Sequence, residues 1–566
     1  MPMHRTLDCA AGGEKRRPAC RCRFQLLLRW LLGIVLGAAL SAAAQQPPAQ
    51  GLPTFAELEA AGAVIGEVRV RTANVFDLDD PRERSTLYRW ANAIHIQTRA
   101  SVIEGQLLFK RGDRVSAAVI DETERNLRDR RYLYDVQIRA VAYHDGVVDI
   151  EVLTRDTWSL IPGASAGRAG GETTSGLRLR EYNFLGTGTT LGFGHSTGVD
   201  RSSNEVLLSN DRLFGTWTAL NMRFARNSDG ERDGVSLVRP FYSLDARWAA
   251  GVSAVKDNRI EPVYNAGNVA AEYRHRQTKA EAFAGLSQGR QGRWVQRYSI
   301  GVNLSEDTYA LEPGRVPPTA LPGDEKLVGP FLRYELIEEQ YQKATNRERI
   351  AVPEFISLGW AALVQLGWAD TGLGSTRDAL LYAATVSRGF DPTPAQTLLA
   401  SAAIEGQYTD GRVRKQLFGV DGKYYLEQSG PWLFYAAASA AVLTNPDVQD
   451  MLLLGGDNGL RGYPQRYQAG DNRVLLTLEE RVYTSWFPLH LFRVGAAAFL
   501  DVGRAWGGPH VNTINPGWLT NVGAGLRFTS PRTSRSDVLH IDVAFPLNRT
   551  PDIDSVQVLV VGKATF

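Results

Sequence analysis

The 566-residue sequence predicts a mainly β protein: a transmembrane antiparallel β-barrel of about sixteen strands behind one small α+β domain. Three observations carry this expectation. Beyond the first fifty residues no run of eighteen apolar residues occurs, which excludes a bundle of membrane-spanning helices. From about Ala164 to Phe566, short alternating segments recur between Gly, Asn, Asp and Ser clusters, for example 177–182, 189–196, 217–224 and 522–528. Barrel strands alternate apolar and polar and never build a long hydrophobic run, and roughly 25 residues per strand and connection give the count of about sixteen. Finally, Trp217, Trp248, Trp294, Trp360, Trp432, Trp486 and Trp506 stand near segment ends, where interfacial girdles place them. Filling the core of a soluble β-sandwich is the alternative use of those rings.

Residues 1–44 read as a signal peptide. A basic stretch (Lys15, Arg16, Arg17, Arg21, Arg23, Arg29) precedes an apolar run, and Ser41-Ala42-Ala43-Ala44 supplies a small-residue cleavage site near Ala44. An uncleaved anchor is the competing reading, against which the apolar run is short. All three cysteines (Cys9, Cys20, Cys22) lie in this leader. A mature chain without thiols relies on neither disulfides nor thiolate metal sites. It would hold 56 basic and 59 acidic residues, a net charge of −3, which gives no ground for a nucleic-acid partner.

Residues 45–64 read as a linker containing a short helix over 55–61, and 65–160 as the small domain. Within it, 66–71 alternates as a strand. The stretch 86–98 is helix-compatible, with Leu87, Trp90, Ala91 and Ile94 expected inward. A second helix over 116–130 turns Val119, Ile120, Thr123 and Leu127 inward. Strands over 134–141 and 147–154 flank the Asp145-Gly146 hairpin signal.

The barrel, over 165–566, carries the most informative stretch, Leu454-Gly455-Gly456-Asp457-Asn458-Gly459-Leu460-Arg461-Gly462-Tyr463 with Gly470-Asp471 behind it. Its glycines make a shaped loop around one Arg-Gly-aromatic tip. An arginine turned into a protein interior needs a carboxylate. Glu479 and Asp501 are the candidates. By strand parity Asp501 shares a face with Phe499 and Gly503, and Glu479 with Thr477 and Arg481. Glu480 is left on the lipid-side face.

The loop, the Leu-Glu of Leu478-Glu479 and the Phe-x-Asp-x-Gly of 499–503 together resemble the BamA/TamA-type outer-membrane superfamily, the bacterial surface-antigen barrels. The order strand, helices, hairpin over 65–160 resembles one copy of the periplasmic POTRA domain, the module found ahead of such barrels. Glu181 to Gly188 resembles the family's first turn at the periplasmic rim, and 239–244 another turn. The resemblance implies sixteen strands. It implies that Leu460, Arg461, Gly462 and Tyr463 fold back into the lumen, where the arginine pairs with inner-wall acids. It also implies that the terminal Phe566 forms part of a barrel-assembly address in the outer membrane of a Gram-negative-type bacterium.

No nucleophile, general base and oxyanion donor stand in reachable order, and the eight histidines are scattered. His275 reads as solvated or lumenal. The expectation is therefore a protein that is not an enzyme, with no metal and no cofactor. The resemblance implies insertion, assembly or translocation of client β-rich polypeptides. Its partners would be outer-membrane lipid, the clients, and accessory periplasmic proteins or chaperones. A two-partner secretion pore for one exoprotein and a passive channel barrel without client are the alternatives.

Overall fold

A computed structural model describes residues 52–563 except 170, 448–449, 489–491, 509–516, 531–537 and 552. The leader, its cleavage site and Phe566 lie outside the described residues.

The small domain is built from α1 (Phe55–Ala60), β1 (Val64–Ala73), α2 (Thr86–Ile94), α3 (Ala100–Glu104), α4 (Ala117–Arg128), β2 (Leu133–His144) and β3 (Val147–Asp156). Its sheet has the order β1-β3-β2, with β1 parallel to β3 and β3 antiparallel to β2. Asp145 and Gly146 both take positive φ (51° and 76°), as a tight hairpin with a right-handed strand twist requires. Leu58, Ile65, Ile103, Ile120, Leu127, Val136, Val148 and Ile150 form one buried core. At about 1.5–3 kcal/mol for each buried aliphatic side chain, this cluster holds the domain together.

Two expectations are corrected here. The segment read as a linker over 45–64 is folded from Thr54 onward, and the short helix expected over 55–61 is present as α1. Thr54 caps α1, its Oγ accepting from the Glu57 amide while Glu57 accepts from the Thr54 amide at 2.7 Å, and Leu58 is in the core. In α2 the buried face is turned toward Tyr88, with Ala91 alone of the expected residues packing inward. Tyr88 and Ala91 pack inward with Val75, Phe76 and Trp158, whereas Leu87, Trp90 and Ile94 are 60%, 62% and 49% exposed.

Among the described residues twenty strands form the closed barrel, not about sixteen, because a strand with its connection is on average shorter than assumed. In chain order they begin with β4 (Leu160–Ala169), β5 (Glu172–Phe184), β6 (Thr189–Thr197), β7 (Ser202–Asn210), β8 (Ala219–Asn227) and β9 (Gly230–Arg239). Next come β10 (Trp248–Asn265), β11 (Asn268–Gln291), β12 (Trp294–Leu311) and β13 (Glu325–Glu338). A separate hairpin, β14 (Tyr341–Thr345) with β15 (Pro353–Ser357), is inserted before β16 (Ala361–Ala369). Then follow β17 (Ala379–Phe390), β18 (Gln396–Thr409), β19 (Arg412–Glu427) and β20 (Trp432–Thr444). A second minor pair, β21 (Leu452–Leu454) with β22 (Gln468–Gly470), forms the stem of a loop. The wall ends with β23 (Asn472–Tyr483), β24 (Arg493–Trp506), β25 (Leu519–Thr529), β26 (Val538–Pro546) and β27 (Gln557–Lys563). The seam brings β27, the shortest of the twenty among the described residues, beside β4.

The small domain lies against one rim, called proximal below. The Arg99 amide donates to Gly186 at 3.1 Å, and Arg130 pairs with Asp211. Glu122 accepts from the Leu244 amide at 2.7 Å, and Arg125 meets Glu339 at 2.8 Å. Strand alternation sorts the wall into two faces. In β26, Leu539, Val543 and Phe545 are exposed outward, while His540, Asp542 and Ala544 are buried inward. Trp248, Trp294, Trp360, Trp432 and Trp486 are exposed along the proximal rim. Glu480 stands on the outer face three residues from the proximal end of β23, where Gln428 donates to it at 3.3 Å. This rim position leaves Oε2 at the surface, while Oε1 is buried without a hydrogen-bond partner among the described residues.

A candidate clasp in the barrel lumen

The loop between β20 and β23 folds into the lumen from the distal rim. The Gly456 amide donates to the Pro464 carbonyl at 3.0 Å and the Tyr463 amide to that of Leu460 at 3.0 Å, so the chain doubles back on itself. A Cβ at Gly455 would lie 2.3 Å from the Pro464 oxygen, which is why this fold-back demands glycine. Leu454, Leu460, Tyr463 and Tyr467 then pack with Ala505, Leu519 and Ile553 of the wall and its connections. The Tyr463 hydroxyl donates to the Thr520 carbonyl at 2.9 Å and accepts from the Thr520 amide at 3.0 Å. Gly503 has no Cβ to obstruct Leu454, whose Cδ2 would lie 3.1 Å from one.

This packing delivers Arg461, 5% exposed, to the inner wall. Its Nε and Nη2 reach the two Asp501 oxygens at 2.8 and 2.7 Å, a bidentate pair. Its Nη1 donates to Glu479 at 2.7 Å and to Asp542 at 3.2 Å. The guanidinium carbon also lies 3.4 Å from the centre of the Phe499 ring, a cation–π contact. Asp501 is completed by Thr477 at 3.0 Å and Asn521 at 2.8 Å.

Two further arginines balance the three acids. Arg481 donates to the other Glu479 oxygen at 2.7 Å, and Arg527 pairs with Asp542. Arg481 therefore shares Glu479 with Arg461 instead of displacing it. Asp542 and Arg527 escaped the sequence reading, although the strict alternation of 538–546 already puts Asp542 on one face with His540 and Ala544. Three cations on three carboxylates limit the cost of burying any one of them.

A second set of contacts reaches the opposite side of the seam. Arg466 donates to both oxygens of Asp200, in the β6–β7 turn, at 2.8 and 2.8 Å, and lies 4.3 Å over the Tyr264 ring. From the proximal side the tip of the β14–β15 hairpin enters the lumen. Arg347, 1% exposed, donates to Glu427 at 2.7 Å and to Thr397 at 3.3 Å, while Lys423 donates to Glu348 at 2.9 Å. His275 faces the lumen as well, its Nε2 2.9 Å from Asp307. Among the described residues no group of three or more His, Cys, Asp and Glu could hold a metal ion.

No family model and no curated protein matches the chain. Among solved structures it is similar to BamA from Haemophilus ducreyi lacking POTRA domains 1–3, at 13% identity and a TM-score of 0.39, over 88% of this chain and 85% of that one. It is also similar to CdiB from Acinetobacter baumannii, at 14% identity and a TM-score of 0.46, over 88% and 73%. CdiB from Escherichia coli gives 13% identity and a TM-score of 0.46, over 88% and 75%.

Proposed function

We propose that this chain is an outer-membrane barrel that assists the insertion, assembly or translocation of client β-rich polypeptides. Membrane residence is supported by the outward apolar rows and by the closed sheet, which leaves no unpaired strand edge among the described residues. The observation that carries the functional reading is the lumenal clasp. Arg461 fixes the loop to β23, β24 and β26, and Arg466 fixes it to the β6–β7 turn, so one segment braces both sides of the seam between β27 and β4. A barrel edge that must open for a client strand needs such a brace to restore it. Clients would add as strands at that seam or along β2, an edge of the small sheet.

Reconstitution into phospholipid liposomes with unfolded barrel substrates tests this. Faster client folding than in liposomes alone is expected, and its loss when engineered cysteines in β4 and β27 are oxidised. A mature chain free of native cysteine makes that crosslink clean. Steady conductance with no acceleration of client folding would leave a passive channel. Against that alternative stand two segments, 445–471 and 341–357, with side chains bonded across the lumen.

A further inference from the structure

The exposed face of α2 is unaccounted for by the domain's own packing. It consists of Leu87, Trp90 and Ile94, spaced three and four residues apart, and continues into Ile96, 54% exposed. The adjoining row, Tyr88 and Ala91, is already used against Val75, Phe76 and Trp158. So this helix has one broad apolar face, of which the Leu87, Trp90 and Ile94 part faces outward.

Where that face sits follows from strand parity. In the run from β3 into β4, Leu160 and Trp158 lie on one side and Thr157 and Ser159, both buried, on the other. Leu160 pairs with Glu181, and the same outward row in β5 exposes Leu177 and Leu179 at 66% and 48%. Trp158 therefore continues the outer face of the barrel below its proximal rim, and α2 packs on Trp158. The next segment is tied to the β5–β6 turn by Arg99 and Gly186, and that turn exposes Phe184 (42%) and Leu185 (50%). The helix thus extends the rim of exposed tryptophans. Its Thr86–Ile94 sequence contains no acid to repel a headgroup.

We propose that α2 is an interfacial anchor that lays Leu87, Trp90 and Ile94 into the periplasmic phospholipid leaflet beside the barrel, near the seam. This rests on the membrane reading above. Its physical basis is the partition of an amphipathic, aromatic-bearing helix into the headgroup–acyl boundary. Such an anchor holds the small domain at the membrane surface, with the β4 end of the seam beside disturbed lipid.

The test uses the full chain, with single cysteines spin-labelled at Leu87→Cys, Trp90→Cys and Ile94→Cys. Arg89→Cys is the control on the polar side of α2, and Ile300→Cys the control on the barrel's outer face. The protein is reconstituted in phosphatidylethanolamine–phosphatidylglycerol vesicles and in lipid-free amphipol. The expected result is a several-fold higher ratio of oxygen to water-soluble relaxer accessibility at the three α2 sites than at Arg89→Cys, in vesicles only. Equal accessibility at all four α2 sites, with Ile300→Cys still in lipid, overturns the anchor alone. If Ile300→Cys also reads as aqueous, the membrane reading fails instead. Shielding of the three sites that appears only on adding an unfolded barrel polypeptide assigns the face to a protein partner and overturns the proposal.

Discussion

Arg466 and Asp200 stand 266 positions apart and meet through two hydrogen bonds of 2.8 Å. One belongs to the lumenal loop and the other to the turn between the third and fourth strands of the wall. The pair closes a covalent and non-covalent ring that runs through the loop, the clasp at Arg461 and the seam itself. Tyr264 adds its hydroxyl to Asp200 and its ring to the guanidinium, so the pair is held by more than charge.

Cutting this link should loosen the loop without dislodging its other end. Asp200→Asn is expected to cost about 1.5 kcal/mol, the low end for hydrogen bonds to charged groups, because both partners are only about four-fifths buried and salt screens part of the attraction. Limited proteolysis of the folded barrel should then cut within 445–471 faster, more so in high salt for the native chain than for the variant. Identical cleavage in both would show that the pair braces nothing.

Arg461→Ala should do more damage. Removal of this side chain leaves Asp501 with no cation, Asp542 with Arg527 alone, and Glu479 with Arg481 and a more distant Arg527 at 3.8 Å, all nearly fully buried. Breaking a buried ion network by deleting one partner costs roughly 3–5 kcal/mol. Arg461→Lys should rescue little, since an ammonium cannot grip both Asp501 oxygens while stacking on Phe499. The heat needed to unfold the barrel, read as the mobility shift of heated against unheated samples on gels, should fall in both variants. An unchanged transition removes the clasp from the account of stability.

Much of this centre was legible in the chain before any coordinates. Turn glycines around one arginine predicted a shaped loop, and period-two alternation put Glu479, Phe499, Asp501 and Gly503 on the inner face. Asp542 is just as accessible to parity, on one face of β26 with His540 and Ala544. Arg466 with Asp200 was not accessible, because nothing local marks which of many surface charges will meet across a lumen. The strand count failed for a similar reason. An average spacing stands in for connections whose lengths range from two residues to the whole loop at 445–471. The face of α2 differs from the expectation because its apolar face is broad, and periodicity cannot say which part of it the domain covers.

Gly462 tests how closely the tip is fitted. A Cβ there would sit 2.6 Å from the Asn521 Cβ and 3.2 Å from the Pro546 nitrogen, neither of which is a flexible end. Gly462→Ala is expected to cost about 1–3 kcal/mol as overpacking against backbone. In combination with Asn521→Gly the two effects should be less than additive, since the second change removes one clashing atom. Strict additivity would mean that the tip does not press on Asn521.

The β14–β15 hairpin should govern leakage from the proximal side. Glu354 accepts from the amides of Arg347 and Arg349 at 3.1 and 3.2 Å, which fixes the tip that sends Arg347 to Glu427. Arg481 donates at 3.4 Å to the Arg347 carbonyl while holding Glu479, so the hairpin and the distal clasp share one side chain. Arg347→Ala should raise single-channel conductance in planar bilayers, and replacement of 341–357 by a short Gly-Ser turn should raise it further. If both variants fold and conduct as the native chain does, the hairpin does not close the lumen.

Asp156 makes the junction between small domain and barrel sensitive to pH. Its Oδ2 accepts from the Thr98 amide at 2.7 Å, and Thr98 in turn accepts from Asn183 of β5 at 2.8 Å. Burial pushes this carboxyl up to about 6 against the hydrogen bonds from Thr98, whereas burial holds the nearby His95 below its ordinary value. A carboxyl whose folded pKa is raised contributes stability that is fully present below its unfolded value and is lost as pH rises through the folded one. The window therefore runs from about 4 to about 6. Loss of protection by Asp156 as pH rises should appear as faster intrinsic-rate-corrected amide exchange over 95–99, and Asp156→Asn should abolish that part of the profile. His95, whose Nε2 lies 3.4 Å from Asp156 Oδ2, acts in the opposite sense, costing stability as pH falls, and the profile of His95→Gln separates the two contributions. Superimposable profiles for the native chain and Asp156→Asn would place the titration elsewhere.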